Sequence, residues 1–379
     1  MRFLLTGGGT GGHVFPAIAT AEALKRAGHT VLFVGTRGGM EARAVPAAGY
    51  DILFLPSRPV SRKLSPGMLV SLAVTGAGVV AAYRLLAKER PAAVASTGGY
   101  AGAALAAAAA VRRTPMLLFE PNAIPGRTNR ILARWATRIA VAYASCAPCF
   151  GKEAEGRVVV TGTPVRPGIG GEDRAASRAA FGLDPDRFTL LVVGGSAGAR
   201  SLNQAVLAAA PALLEAGAQI LHQTGRAGFE DVRSARERSR RSVLPKNEGA
   251  EPAPYVLVPF VEKMGQAYAA ADVILCRAGA STLAEVTTAG LPAILVPYPY
   301  AVGDHQTYNA KALVDAGAGV LIPDSELTPE RLSEAVLHWL RDPEARAKAA
   351  AASRSLARPD AAERMVRLLE EMGGLNTEA

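Results

Sequence analysis

The sequence predicts an α/β protein of two doubly wound halves, each a parallel sheet covered by helices. Two observations lead there. A strand, a glycine-rich loop, a helix and a second strand follow one another near the start, and the same order restarts near mid-chain. The length of 379 residues suits two domains.

In the first half, residues 2–6 (Arg2-Phe3-Leu4-Leu5-Thr6) read as a short apolar strand. Gly7-Gly8-Gly9-Thr10-Gly11-Gly12-His13 follows, then a helical pattern from Pro16 to Ala27 closed by Gly28, then a strand over 30–34. Pro16 is expected in the first turn of that helix, where its missing N–H goes unnoticed. Residues 92–96 and 116–120 read as strands feeding Thr97-Gly98-Gly99-Tyr100 and Pro121-Asn122. In the second half, a strand over 189–193 feeds Gly194-Gly195-Ser196-Ala197-Gly198-Ala199 and a helix over 201–215. Segments 220–222, 255–258, 273–276 and 293–296 continue as short buried strands. The domain boundary is expected near Thr161-Gly162-Thr163-Pro164, ahead of a Pro/Gly-rich run ending at Gly171. Residues 233–241 read as a solvated helix leading into a proline-rich loop, and the segment from Pro343 as a polar-amphipathic helix.

Apolar residues make up 49% and charged residues 20%, which describes a globular chain with ample core and excludes a disordered one. The net charge of +9 is too diffuse for a nucleic-acid code and suits an anionic small molecule, an acidic membrane surface, or both. The opening residues run into glycine after one apolar stretch too short for a signal-peptide core. Residues 64–83 and 91–111 are uncharged and approach the length of a spanning helix. Ser65, Pro66, Gly67, Ser71, Thr75, Gly76 and Gly78 interrupt the first, and Ser96-Thr97-Gly98-Gly99 breaks the second, so neither is expected to span. Cys146-Ala-Pro-Cys149 has redox-motif spacing but lacks the second pair of a zinc site. With Cys276, these are expected to be reduced cysteines of a cytosolic protein.

Gly7, Gly9 and Gly12 satisfy the dinucleotide fingerprint, which wants an acid at the end of the second strand. Gly35-Thr36-Arg37 stands there instead, although Arg37 suits a 2′-phosphate, so an NADP enzyme stays open. The glycines exceed what a tight turn needs, which points to close approach of a bulky anionic ligand at a helix start. Gly194–Gly198 repeats that logic, with Ser196 adding a hydroxyl. After the strand at 273–276 comes Arg277-Ala278-Gly279-Ala280-Ser281-Thr282-Leu283-Ala284-Glu285. It reads either as a capping box, with Ser281 or Thr282 as cap, or as a helix start meeting a diphosphate while Glu285 accepts both ribose hydroxyls. The Asp184-Pro185-Asp186 triplet looks like a metal motif but precedes a strand, whereas ligands of open α/β sheets bind at carboxyl ends. No metal site is expected.

In order along the chain, Gly7 to Pro16, Gly98-Gly99-Tyr100, Asn122 with Gly126 and Thr128-Asn129, and Gly162-Thr163-Pro164-Val165-Arg166 resemble the MurG-type glycosyltransferases of bacterial peptidoglycan synthesis. So do Gly194-Gly195-Ser196, His222-Gln223-Thr224-Gly225, Arg277 to Glu285, and His305-Gln306-Thr307-Tyr308-Asn309. The resemblance implies the GT-B fold, two Rossmann-like domains facing across a cleft. Residues 1–162 would form an acceptor-binding, membrane-associating domain, joined by a returning C-terminal helix over about 346–379, and 163–345 the UDP-sugar domain. It implies inverting transfer of N-acetylglucosamine from UDP-N-acetylglucosamine to the 4-hydroxyl of the muramic sugar of lipid I, giving lipid II, without cofactor or nucleic acid.

By the same resemblance Thr10, Gly11, Gly12, Asn122, Arg166, Ser196, Val261, Ala280, Ser281, Thr282, Leu283, Ala284, Glu285 and Gln306 would bind the donor, Val261 through its backbone to uracil and Glu285 to the ribose. The family is peripheral on the cytoplasmic face of the inner membrane; Leu64, Met68, Leu69 and Leu72 with Arg62, Lys63 and Arg84 would make that contact with anionic lipid. His13 is the candidate base, with a helix-start or phosphate contact as its alternative role. Arg166 and the helix starts after Ser196 and Ala280 would meet the charge on departing UDP. Phe119, Pro121 and Ala197 depart from the family pattern of a His and a Gln around Glu120 and a Gln after Ser196. The rivals are a related lipid glycosyltransferase, a UDP-sugar epimerase with acidic catalytic residues, an NADP oxidoreductase and a silent sugar-nucleotide binder.

Overall fold

The computed structural model describes residues 1–57, 66–98, 100–195, 198–242 and 253–374. They form two compact units, residues 1–167 with 358–379, and residues 168–357.

The first unit contains β1 (Arg2–Thr6), α1 (Gly11–Arg26), β2 (Thr30–Gly35), α2 (Glu41–Ala47), β3 (Ile52–Phe54), α3 (Pro66–Glu89), β4 (Ala93–Ser96), α4 (Tyr100–Arg112), β5 (Met116–Glu120), α5 (Arg127–Leu132), β6 (Arg138–Val141) and β7 (Val158–Val160). Its seven strands are all parallel, in the order β3-β2-β1-β4-β5-β6-β7. Alternation along β1 divides the core. Phe3 and Leu5 face one side with Val14 and Leu24 of α1, and Leu4 faces the other with Leu86 and Leu105 of α3 and α4.

The second unit contains α6 (Arg174–Ala180), β8 (Thr189–Val193), α7 (Arg200–Glu215), β9 (Gln219–Gln223), α8 (Phe229–Ser242), β10 (Tyr255–Val258), α9 (Met264–Ala270), β11 (Val273–Cys276), α10 (Ala280–Ala289), β12 (Ala293–Leu295), α11 (His305–Val314), β13 (Gly319–Leu321), α12 (Pro329–Arg341) and α13 (Pro343–Ser355). Its six parallel strands run β10-β9-β8-β11-β12-β13. In each sheet the order reverses beside the first strand, between β1 and β4 and between β8 and β11. The crevice outside that point is where open α/β sheets take ligands.

Several expectations change. Helix α1 begins at Gly11 with Thr10 as its N-cap residue, so Pro16 lies in the second turn and the last loop glycines belong to the first. Gly76 and Gly78 do not interrupt α3, which runs unbroken for 24 residues. A Cβ at Gly78 would strike the Pro56 carbonyl, so this glycine lets the chain cross the helix. No described helix is long and apolar enough to cross a membrane.

The division falls after Pro167 rather than after 162, and the returning segment starts at Arg358 rather than near 346. Helix α13 packs on α10 and α12 within the second unit. Only α14 (Ala361–Met372) returns, burying Met365 and Leu369 against the Phe3 and Leu5 side of the first core. Asp184 accepts the N–H groups of Asp186 (2.9 Å) and Arg187 (3.2 Å), so its carboxylate closes the turn before β8. Cys146 is buried and Cys149 exposed, both as thiols.

Candidate functional site

In the first unit the glycine loop leaves the carboxyl end of β1. Its glycines serve the protein's own packing as much as any ligand. A Cβ on Gly7 would strike Thr97, one on Gly8 would lie 2.6 Å from Glu41 Oε1, and one on Gly11 would lie 3.0 Å from the Phe15 ring. Gly9 has φ +87°, a left-handed conformation that glycine adopts without strain. Glycine density alone is therefore not the ligand signal the sequence offered; at Gly12 a Cβ would meet nothing nearer than 3.7 Å.

The acid missing from the end of β2 is supplied by Glu41, at the start of α2. Its buried carboxylate accepts the Gly9 N–H (2.9 Å), the Thr36 N–H (3.0 Å) and the Thr36 hydroxyl (2.7 Å). Burial pushes this carboxyl up, but the Thr36 and Gly9 hydrogen bonds outweigh it and hold the group below its ordinary 4.5. Arg37, the candidate 2′-phosphate contact, lies over the Phe54 ring at 5.3 Å.

His13 ends the loop inside the first turn of α1. Its Nδ1 lies 2.6 Å from the Thr97 carbonyl, and the Thr97 hydroxyl returns a 2.7 Å bond to the His13 carbonyl. A carbonyl only accepts, so Nδ1 carries a proton and the neutral ring has its lone pair on Nε2. The guanidinium of Arg166 lies 4.5 Å from the centre of the Phe15 ring, which touches Gly11, so Arg166 reaches the same loop as Thr10 and Gly12.

At the end of β5 the buried Glu120 accepts from Asn122 N (3.0 Å), Asn122 Nδ2 (2.9 Å), Gly126 N (3.0 Å) and Asn129 Nδ2 (2.8 Å). That carboxylate fixes Asn122. It needs neither the family's histidine, whose place Phe119 fills in the core, nor its glutamine, replaced by Pro121.

In the second unit Ser196 and Ala197 lie outside the described residues. The flanking Gly195 and Gly198 have φ +89° and +78°. Gln223, at the end of β9, donates from Nε2 to the Gly195 carbonyl (3.1 Å) and accepts the Val261 N–H on Oε1 (3.2 Å). The amide thus joins the second glycine loop to the segment expected at uracil, and it leaves the carbonyl of Val261 as the group to offer. The sequence motif around His222 contained this residue without disclosing its task.

Helix α10 starts after Gly279, whose backbone is extended, and no side chain caps it. The capping-box reading is therefore wrong: Ser281 and Thr282 lie within the first turn and Glu285 beyond it. The first return bond runs from Leu283 N to Gly279 O, so residues 280–282 stand at the positive end of the helix dipole. Leu283 itself is fully buried in the core with its N–H committed, and supports the helix rather than facing a ligand. Ala280 and Glu285 are also buried, and the Tyr268 hydroxyl donates to Glu285 Oε2 at 2.9 Å. Arg277 ties this segment to its surroundings through the Val296 and Pro297 carbonyls, Ser201 and Asp324. Gln306 accepts the Tyr298 N–H on Oε1 (2.9 Å), which turns its NH2 group the other way.

The chain matches the glycosyltransferase family 28 N-terminal domain over residues 3–141 and the family 28 C-terminal domain over 189–365. A protein of Desulforudis audaxviator, named UDP-N-acetylglucosamine--N-acetylmuramyl-(pentapeptide) pyrophosphoryl-undecaprenol N-acetylglucosamine transferase, is 41% identical over all of both chains. One of Halothermothrix orenii with the same name is 36% identical, covering 98% of this chain and 99% of its own. The crystal structure of Acinetobacter baumannii MurG superposes with a TM-score of 0.75 at 30% identity, covering 98% of this chain and 99% of that one.

Proposed function

The chain belongs to glycosyltransferase family 28, among the UDP-N-acetylglucosamine--N-acetylmuramyl-(pentapeptide) pyrophosphoryl-undecaprenol N-acetylglucosamine transferases, and from that premise we propose its reaction and the residues that carry it. N-acetylglucosamine passes from UDP-N-acetylglucosamine to the 4-hydroxyl of the muramic sugar of lipid I, giving lipid II. The acceptor oxygen bonds to the anomeric carbon as the bond to the UDP oxygen breaks on the opposite face, which inverts that centre. His13 Nε2 takes the hydroxyl proton. The observation that carries this assignment is the 2.6 Å contact of Nδ1 with the Thr97 carbonyl, which fixes the tautomer a base needs.

Thr10, Gly11, Gly12 and Asn122 of the first unit contact the substrates, and Arg166 meets the charge of the leaving diphosphate. Ser196, the first turn of α10 at Ala280, Ser281 and Thr282, and Gln306 hold the donor's phosphates and sugar, the Val261 carbonyl meets uracil, and Glu285 accepts from the ribose. Ala284 supports the helix at that point. Glu41 accepts three hydrogen bonds, from Thr36 and from Gly9 of the glycine loop, and Glu120 four from residues 122–129, which argues against an epimerase using either as its acid or base.

Purified protein with labelled UDP-N-acetylglucosamine is expected to release UDP and label lipid only when a lipid I analogue is present. Label in free sugar or an epimer, or no UDP release, overturns the proposal.

The enzyme works as a peripheral protein at the cytoplasmic face of the inner membrane. Residues 62–64 and the side chains of Leu69 and Leu72 lie outside the described set. What supports the reading on α3 is the exposure of Val70, Val80, Tyr83 and Arg84. Neighbouring elements add Val111, Ile131 and Trp135, with Arg112 over Tyr83 (4.8 Å) and Arg134 over Trp135 (5.3 Å). Exposed aromatic and aliphatic groups beside arginines suit an anionic bilayer surface. Salt-sensitive flotation with anionic vesicles checks it.

A further inference from the structure

We infer that Glu41 is a positioning residue for the reaction proposed above: by holding the Gly9 N–H, its carboxylate sets the course of the loop that delivers His13. The inference rests on that reading of His13.

Glu41 occupies a pocket built for it. Glycines from three segments surround the side chain, and a Cβ would meet it at each: at Gly8 of the loop, at Gly35 closing β2 (2.7 Å from Cγ), and at Gly39 of the β2–α2 connection. Burying a carboxylate is costly unless its oxygens are filled. Here Thr36 fills Oε1 twice and Gly9 fills Oε2. Two of these bonds are local to the β2–α2 connection. The third reaches across to the loop, and it is the one that constrains function.

From Gly9 the path to His13 is short. Thr10 is the N-cap residue, and its carbonyl accepts the N–H groups of His13 and Val14, both at 3.1 Å. On its far side His13 is gripped by Thr97 through both backbone and ring. The imidazole is thus held between two anchors, Thr97 directly and Glu41 through the loop. Gly9, with its left-handed backbone and open surroundings, is the part of this path with least packing of its own, so a tether there has the most to do. Fixing a reacting group in its attack geometry carries a large share of catalysis, and misplacement by about 1 Å costs ~10²-fold.

The test is Glu41→Gln. A glutamine keeps the shape and can still accept from Thr36 on its oxygen, while its NH2 group then confronts the Gly9 N–H, donor against donor. The expected result is a kcat lower by ~10²-fold, unchanged affinity for UDP by titration, and a displaced His13 imidazole signal in protein labelled with 15N-histidine. A merely structural loss of stability would move the thermal midpoint but not the His13 signal of the folded protein. Near-normal kcat, or an unmoved His13 signal, overturns the inference. If Glu41→Gln does not fold, Thr36→Val removes one donor and lets the carboxylate turn. The same His13 displacement and a several-fold kcat loss are then expected, and their absence overturns the inference equally. The His13 signal needs no substrate. A wild-type protein without acceptor-dependent UDP release would therefore sink the transferase reading while leaving the tether separately measurable.

Discussion

The two glycine loops occupy equivalent places in their sheets, each at the end of the first strand beside the point where strand order reverses, yet they are clamped by opposite chemistry. The first is held by a carboxylate, Glu41, which accepts an N–H of the loop. The second is held by a neutral amide, Gln223, which donates to a carbonyl of the loop. An anion arriving at the first loop finds the Gly9 N–H taken and a buried negative charge behind it. One arriving at the second finds a neutral support and a Gly195 carbonyl already turned aside. Glycine content does not separate them; the clamps do. The contrast supports giving the donor diphosphate to the second loop and the neutral acceptor hydroxyl, with its base, to the first.

The largest expected effect tests the first loop. His13→Ala should lower kcat by ~10²–10⁴-fold, leave UDP affinity unchanged and remove the acidic limb of the kcat profile. Near-normal turnover with an unchanged profile would leave the loop an acceptor contact without a base.

The next effect falls on the second unit. Glu285→Gln still offers Tyr268 and the ribose an acceptor but no longer a charged one, a loss of ~1.5–3 kcal/mol in all. UDP affinity by calorimetry should fall by roughly 10–150-fold, and a change under threefold would remove Glu285 from the donor set.

Smaller, but aimed at the comparison itself, is Gln223→Glu, which gives the second loop the first loop's kind of clamp. The carboxylate can keep the Val261 N–H but cannot donate to Gly195, and it adds negative charge beneath the expected diphosphate. UDP binding should weaken about tenfold, more at low salt than at high salt. Unchanged binding would mean that clamp polarity does not sort the loops.

Much of the scaffold was legible in the sequence because buried parallel strands are short unbroken apolar runs: Leu4-Leu5, Leu117-Leu118 and Leu190 to Val193 announce themselves. The strands β3, β6, β7 and β13 did not, being three or four residues long, three of them at sheet edges where a few apolar residues lack any distinguishing period. At the candidate site, residues that stand inside a local motif could be singled out from the sequence, as His13 and Glu285 are. Glu41 and Gln223 were not. Glu41 stands six residues past Gly35 on the start of a helix, and only folding brings its carboxylate to Gly9. A fingerprint that looks for an acid at the strand end has no term for an acid that returns to bind the loop. The capping-box reading failed for a related reason: extended Gly279 starts α10 ahead of Ser281, and spacing alone does not say which residue leaves the helical conformation first.

The smallest effect extends the contrast to acid. His222, wholly buried behind the second loop, has Nε2 3.0 Å from Asn203 Oδ1, an acceptor, and Nδ1 2.9 Å from the Tyr255 hydroxyl. The ring is therefore a neutral Nε2–H tautomer, and burial holds its pKa down to about 3 against an ordinary 6.5. Below pH 6.5 the unfolded chain takes up a proton that the folded unit refuses, so this stability is complete above 6.5 and drains away as pH falls toward 3. At pH 5.5 the loss amounts to ~1.4 kcal/mol. Urea unfolding of wild type and His222→Gln at pH 7.5 and 5.5 measures it: the wild type should lose about that much more than the variant, and equal losses would contradict a neutral buried ring. Glu41 behaves in the opposite window. Its carboxyl is held below 4.5, so its contribution is intact above that pH and is lost only as pH falls through the lowered value. Between pH 6.5 and 4.5, acid should therefore weaken the unit that carries the neutral clamp while the charged clamp on the first loop still holds.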